Sequence, residues 1–239
     1  MNWTAILLIH GFTSGNYDYG NLINDLQLSG KYDVFTFTLP GHDKLIIDNV
    51  TKSNWINESE NQINYITNNK YKSIIVIGYS MGGVIAVHLA SKYKEISKLI
   101  LAAPAFKYMK FKNNKFSIKE SLKLFPDILK TYNLKEIFIK LFKVPFKTVN
   151  EFIDLVKDNT SDINNVTCPT LILWGDEDKV VPYESPIYVY VNIKGAAIMV
   201  EIKGGNHDVF INNRYNEIKD IILKFLSSID ISYKIKISI

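Results

Sequence analysis

Ser80 stands between two glycines in Gly78-Tyr79-Ser80-Met81-Gly82-Gly83. The apolar run Ser73-Ile74-Ile75-Val76-Ile77 precedes it, and the helix-like Val84-Ile85-Ala86-Val87-His88-Leu89-Ala90 follows. A strand, a Gly-x-Ser-x-Gly turn and a helix in that order describe a nucleophile elbow. The logic is steric. A serine at the tip of a sharp strand-to-helix turn needs an unusual backbone, and flanking residues without side chains let strand and helix approach. The helix would then point its first N–H groups at the reaction centre. The bland alternative is an ordinary glycine-rich turn; the flanking strand and helix patterns favour the elbow.

A serine hydroxyl is a poor nucleophile at neutral pH, so it needs a base and a group to orient that base. Four histidines are available: His10, His42, His88 and His207. His10 ends the first strand inside His10-Gly11-Phe12 and reads as a turn-stabilising donor. His42 reads as a loop residue in Leu39-Pro40-Gly41-His42. His88 falls about two helical turns beyond Ser80 and reads as a satisfied helix residue. His207 remains, in Lys203-Gly204-Gly205-Asn206-His207-Asp208, between the strand-like Ala196–Ile202 and the last helix. The orienting acid is expected beyond another strand, and Pro169-Thr170-Leu171-Ile172-Leu173-Trp174 is one. Asp176, Glu177 and Asp178 compete in the loop that follows, against the plainer reading of a solvated acidic loop with a helix N-cap among its members.

Four motifs in sequence order carry a family resemblance: Leu7-Leu8-Ile9-His10-Gly11-Phe12, Leu39-Pro40-Gly41-His42, Gly78-Tyr79-Ser80-Met81-Gly82-Gly83, and Trp174-Gly175-Asp176-Glu177-Asp178 with His207. Together they span nearly the whole chain. The chain resembles the α/β-hydrolases, in particular small bacterial carboxylesterases and monoacylglycerol-lipase-like enzymes, whose order of nucleophile, acid and histidine it shares. The resemblance implies an α/β-hydrolase fold: a mostly parallel central sheet flanked by helices, with a short helical cap insertion. The family's Gly-x-x-Asp-x-x-Val-Pro pattern falls on Gly175, Asp178, Val181 and Pro182, which makes Asp178 the inherited acid and Asp176 the reserve. It also implies an oxyanion hole from the backbone N–H groups of Phe12 and Met81. The implied activity is carboxylic-ester hydrolysis through Ser80, His207 and Asp178 and an acyl-enzyme, with no metal or organic cofactor. Asp43 after Pro40-Gly41-His42, and Asn206 before His207, depart from the family's glycines at the pocket rim.

The rivals are an acyltransferase or thioesterase using the same triad, and a non-catalytic binding protein on the same fold. A serine nucleophile argues against the dehalogenase and epoxide hydrolase chemistry that this fold runs with aspartate.

These groups need a scaffold. With 239 residues, 47% apolar and 22% charged, the chain can bury a sizeable core and is not a disordered one. Its nearly continuous Ile, Leu and Val runs suit parallel strands covered on both faces. Strands are expected near Ala5–Ile9, Asp33–Thr38, Ser73–Ile77, Lys98–Ala102, Thr170–Trp174 and Ala196–Ile202. Helices are expected near Asp18–Leu28, Ser53–Asn68, Met81–Lys94 and Arg214–Ser227. The core is thus assigned to 1–103 and 168–239, and the catalytic groups fall just beyond the carboxyl ends of three strands.

Residues 104–167 break the alternation and read as short helices forming the cap. Ser117-Ile118-Lys119-Glu120 is a capping-box pattern, Leu134, Ile137, Phe138, Leu141 and Phe142 share a helical face, and Pro126 and Pro145 punctuate the run. From Lys107 to Lys147 eleven lysines face only Glu120, Asp127 and Glu136. A solvated lysine face is the favoured reading over attraction to acidic substrates or an anionic membrane surface. Nucleic acid is not expected.

The single cysteine, Cys168, excludes an internal disulfide and reads as a small packing residue. Met1-Asn2-Trp3-Thr4 runs straight into a strand, and no apolar run approaches a membrane span, so the cytoplasm is the expected location. In the tail, Ile231, Tyr233, Ile235, Ile237 and Ile239 alternate with Ser232, Lys234, Lys236 and Ser238. That period-two pattern predicts that Ser232–Ile239 adds a strand to the sheet or pairs with a second copy in a homodimer.

Overall fold

The chain begins with β1 (Thr4–Ile9), a 3-10 turn (Asn16–Tyr19), α1 (Leu22–Leu28), β2 (Asp33–Thr36), α2 (Lys52–Asn68), β3 (Ser73–Tyr79), α3 (Met81–Lys92) and β4 (Ile96–Ala102). It continues with a two-stranded ribbon, β5 (Phe111–Lys112) and β6 (Lys115–Phe116), then α4 (Phe146–Asn159) and a 3-10 segment (Thr160–Asn165). The last elements are β7 (Thr170–Gly175), α5 (Glu184–Asn192), β8 (Ala197–Ile202), α6 (Tyr215–Ser227) and β9 (Lys234–Ser238). This computed structural model describes residues 4–44, 47, 49–69, 71–107, 111–112, 115–116, 144–228 and 231–239. The capping-box pattern at Ser117 and the apolar face from Leu134 to Phe142 lie outside the described residues.

Seven strands form one sheet in the order β2-β1-β3-β4-β7-β8-β9, and all of its pairings are parallel. Side chains alternate across a strand, so a sheet covered on both faces needs apolar residues at successive positions. β1 shows the result. Ala5, Leu7 and Ile9 join the layer under α2, α3 and α4, while Ile6 and Leu8 join the layer under α1 and α6. The strand order reverses between β1 and β3, because β2 lies to one side of β1 and every later strand to the other. The crevice at the carboxyl ends of those two strands is where this architecture places ligands.

Local chemistry explains the helix boundaries. Thr51 and Asn54 form a reciprocal capping box at the start of α2. In α4 the buried residues Thr148, Phe152, Leu155 and Asn159 follow a helical stripe. The helix expected from Asp18 is split: a 3-10 turn closes at Gly20, whose φ of +51° is natural only for glycine, and α1 starts afterwards.

The tail forms β9, in register with β8 from Ala197 opposite Lys234 to Glu201 opposite Ser238. It joins the edge outside β8, while β2 forms the opposite edge. Ile231, Ile237 and Ile239 pack against the α1–α6 layer, whereas Tyr233 and Ile235 stay exposed. On the other face, Lys234 Nζ donates to the carbonyls of Tyr190, Val191 and Ile193, capping the end of α5. Among the described residues no helix is long and apolar enough to cross a membrane.

Candidate active site

Ser80 is the N-cap of α3 and holds φ +52° and ψ −114°, a conformation that L-residues rarely adopt. The surroundings over-determine it. Its N–H donates to Ala102 O at 2.9 Å, and its own carbonyl accepts from Gly83 N at 3.0 Å and Ala105 N at 3.3 Å. The flanking glycines are required by space: a Cβ on Gly78 would stand 2.4 Å from Gly82 O, and one on Gly82 would stand 1.9 Å from Ile9 O. The elbow is therefore wedged against the end of β1, which brings the His10-Gly11-Phe12 loop beside the serine. Met81 opens α3, so its N–H has no carbonyl within the helix to meet.

His207 lies in the loop between β8 and α6. Its Nδ1 is 2.8 Å from Asp178 Oδ2. The other oxygen of Asp178 accepts from Val180 N at 2.7 Å and Val181 N at 2.8 Å. The Asp178 carboxylate has no exposed surface, and three donors satisfy it. With a carboxylate at Nδ1, that nitrogen carries the proton, and Nε2 is left for the cavity. This cavity, of about 130 Å³, is bounded by Gly11, Phe12, Tyr79, Ser80 and His207, together with Thr13, Ser14, Tyr17, Asp18 and Asp208. A larger open groove of about 580 Å³ between α1 and the start of α6 includes neither Ser80 nor His207.

The competing acid has another task. Asp176 Oδ1 accepts from Gly204 N at 2.7 Å, and Lys203 Nζ is 3.3 Å from Oδ2. It ties the β7 loop to the β8 loop. The two loops run so close that a Cβ on Gly175 would lie 2.2 Å from Gly205 O. Asp178 and Asp176 thus divide the work: one carboxylate meets the imidazole, the other fixes the loop that carries it.

The remaining histidines are accounted for. The Nδ1 of His10 lies 2.9 Å from Gly11 O, and Nε2 accepts from Leu39 N at 3.0 Å. Neither nitrogen is free to act as a base. Burial, with a lesser contribution from neighbouring His42, pushes its pKa down to about 4. His88 Nδ1 is 2.7 Å from Asp162 Oδ2, and its Nε2 is 3.5 Å from Glu60 Oε1. His42 is more than a loop residue: its ring meets His10, Phe12 and Trp55 with centroids 5.0, 6.1 and 6.0 Å away. Burial lowers its pKa, and its Nε2 has no hydrogen-bond partner among the described residues.

Two contacts had no signal in the sequence. Phe152 of α4 stacks on Phe12, with centroids 5.0 Å apart and planes at 21°. The ring of Tyr79 lies 5.2 Å from that of His207. A helical stripe predicts that Phe152 is buried, but not against which residue. Among the described residues no group of three or more His, Cys, Asp or Glu is arranged to hold a metal ion. Cys168 is partly buried, and desolvation pushes its thiol up to about 12, which favours the protonated form.

Residues 3–137 match the family described as serine aminopeptidase, S33. The thermostable monoacylglycerol lipase of Bacillus sp. (strain H-257) is 26% identical over 74% of this chain and 72% of its own length. Putative esterase/lipase 2 of Mycoplasma genitalium is 26% identical over 94% of this chain and 90% of its own. The crystal structure of a monoacylglycerol lipase from Paleococcus ferrophilus superposes with a TM-score of 0.70 at 16% identity, covering 93% of both chains.

Proposed function

This chain is an α/β-hydrolase and belongs to the family described as serine aminopeptidase, S33, and we propose that it hydrolyses carboxylic esters through Ser80, His207 and Asp178. One observation carries the proposal: His207, paired with Asp178, borders the same small cavity as a serine held in a strained elbow. The family's description points to peptide bonds, whereas the Bacillus and Mycoplasma relatives are described as a lipase and an esterase/lipase. Those descriptions favour an ester.

Nε2 of His207 takes the Ser80 proton as Oγ attacks the acyl carbonyl. Asp178 keeps the proton of the neutral imidazole on Nδ1 and stabilises the imidazolium that forms. The N–H groups of Phe12 and Met81 receive the oxyanion, in a site whose donors are fixed before the reaction starts. The tetrahedral intermediate collapses, the alcohol leaves with the proton from His207, and an acyl-serine remains. Water, deprotonated by His207, attacks the acyl-serine and releases the acid.

The assignment of 104–167 to a cap on a core of 1–103 and 168–239 is part of this proposal; of that segment, 104–107, 111–112, 115–116 and 144–167 are described. The stacking of Phe152 on Phe12 supports that role, because it joins α4 directly to the oxyanion loop. The test is turnover of p-nitrophenyl acetate, butyrate and octanoate beside an aminoacyl p-nitroanilide. Ester turnover that Ser80→Ala and His207→Ala each abolish is the expected result. Cleavage of the anilide alone, or ester turnover retained by Ser80→Ala, would overturn the proposal.

A further inference from the structure

Tyr79 is the last residue of β3, one position before Ser80, and is almost fully buried. Its hydroxyl is not aimed at Ser80. Oη stands 3.3 Å from the carbonyl oxygen of His207 and 3.4 Å from Asp208 Oδ1. Its ring lies 5.2 Å from the imidazole at 41°. On the other side, a Cβ added to Gly11 would meet the same ring at 3.2 Å. One side chain therefore spans from the oxyanion loop, across the elbow, to the loop that carries His207.

The hydrogen bond to Asp178 fixes one atom of the imidazole, Nδ1. A ring held at one atom can still tilt about that contact, carrying Nε2 away from Ser80. Packing against the imidazole restricts the tilt, and the hydroxyl restrains the backbone beneath it, where Val209 N also donates to the His207 carbonyl at 2.9 Å. Misplacing a reacting group by about 1 Å can cost roughly 100-fold in rate. We propose that Tyr79 is a positioning residue that acts through His207, holding Nε2 in line with Ser80. The inference rests on the triad reading above.

The test measures kcat and KM on p-nitrophenyl acetate for Tyr79→Phe, which loses only the hydroxyl, and Tyr79→Leu, which also loses the ring. Each is made in the wild-type and Asp178→Asn backgrounds. In the wild type, kcat should fall about 5-fold for Tyr79→Phe and about 100-fold for Tyr79→Leu, with KM changed less than about twofold. In the Asp178→Asn background, where the imidazole is already unoriented, the same changes should cost less than about threefold. Unchanged kcat in both variants would overturn the inference, as would equal losses in the two backgrounds. If Tyr79→Leu does not fold, Tyr79→Phe decides by the same criteria. His207→Ala, assayed alongside, separates the two levels: its retention of turnover would sink the triad itself, whereas a dead His207→Ala with unimpaired Tyr79 variants sinks only the role of Tyr79.

Discussion

Two histidines in this protein meet a carboxylate through Nδ1 at nearly the same distance, 2.8 Å for His207–Asp178 and 2.7 Å for His88–Asp162. Their surroundings differ. Asp178 is sealed from solvent and held by two backbone N–H groups, and His207 borders the Ser80 cavity. Asp162 is partly exposed, and the second nitrogen of His88 faces Glu60, which also binds Lys92 at 2.6 Å. The His88 group bridges α2, α3 and the Thr160–Asn165 segment and leaves no ring nitrogen for chemistry. A histidine–carboxylate pair is thus not a site in itself. What counts is a fixed acid at one nitrogen and an open, serine-bearing cavity at the other.

Substituting the two acids separates the pairs most sharply. Asp178→Asn should lower kcat about 10⁴-fold by releasing the imidazole tautomer. Asp162→Asn should leave ester turnover within about twofold. Asp176→Asn, two residues from Asp178, should cost far less than Asp178→Asn, because its carboxylate serves Gly204 and Lys203. Comparable losses at Asp178 and Asp162 in steady-state assays would dissolve the distinction.

His10 extends the comparison to a ring with backbone neighbours on both sides. Its folded pKa of about 4 lies below the unfolded value of about 6.5. Between those values the unfolded chain binds a proton that the folded chain refuses. Its contribution to stability is therefore complete above pH 6.5, and about 3 kcal/mol is lost as pH falls to 4. Urea denaturation across that range should show the slope, and His10→Gln, which keeps an acceptor for Leu39 N–H, should flatten it. An unchanged slope would remove His10 as its cause.

Smaller effects are expected where α4 meets the site and at the His88 bridge. Phe152→Ala should change the relative rates on short and medium acyl esters by about tenfold, the scale of one or two buried methylenes. The same chain-length preference after the change would place the acyl pocket elsewhere. His88→Ala should cost about 1 kcal/mol in denaturant unfolding, as the loss of a partly exposed side-chain bridge does, with turnover unchanged. A loss of turnover larger than the loss of folded protein would give His88 a catalytic share.

The elbow was legible in the sequence because its geometry is a steric demand. Only glycine fits where Gly82 meets Ile9 O, and that demand leaves a mark in the residues. His207 could be reached by elimination, since His10 ends a strand, His42 lies in the turn of Leu39-Pro40-Gly41-His42, and His88 falls about two turns along the helix after Ser80. Asp178 was harder. Local pattern left three neighbouring acids equal, and only the family's spacing separated them. The deciding contact joins two loops that the sequence keeps 29 residues apart. The tail strand was legible from its alternation, but its edge was not, because pairing with β8 depends on where α6 delivers the chain. α5 was missed because Ile187-Tyr188-Val189-Tyr190-Val191 has strand-like residues and Pro186 stands near its start. Proline is tolerated in that first turn, and packing beside β7 and β8 decided the outcome.

The most direct measurement is the labelling of the intact protein by a fluorophosphonate probe, followed by mass spectrometry of the modified peptide. One adduct per chain on Ser80 is expected. It should be absent in Ser80→Ala, slowed by orders of magnitude in His207→Ala and Asp178→Asn, and formed at the wild-type rate in His88→Ala. Labelling that persists in Ser80→Ala, or that depends on His88 as strongly as on His207, would contradict the assignment of Ser80, His207 and Asp178 as one catalytic unit.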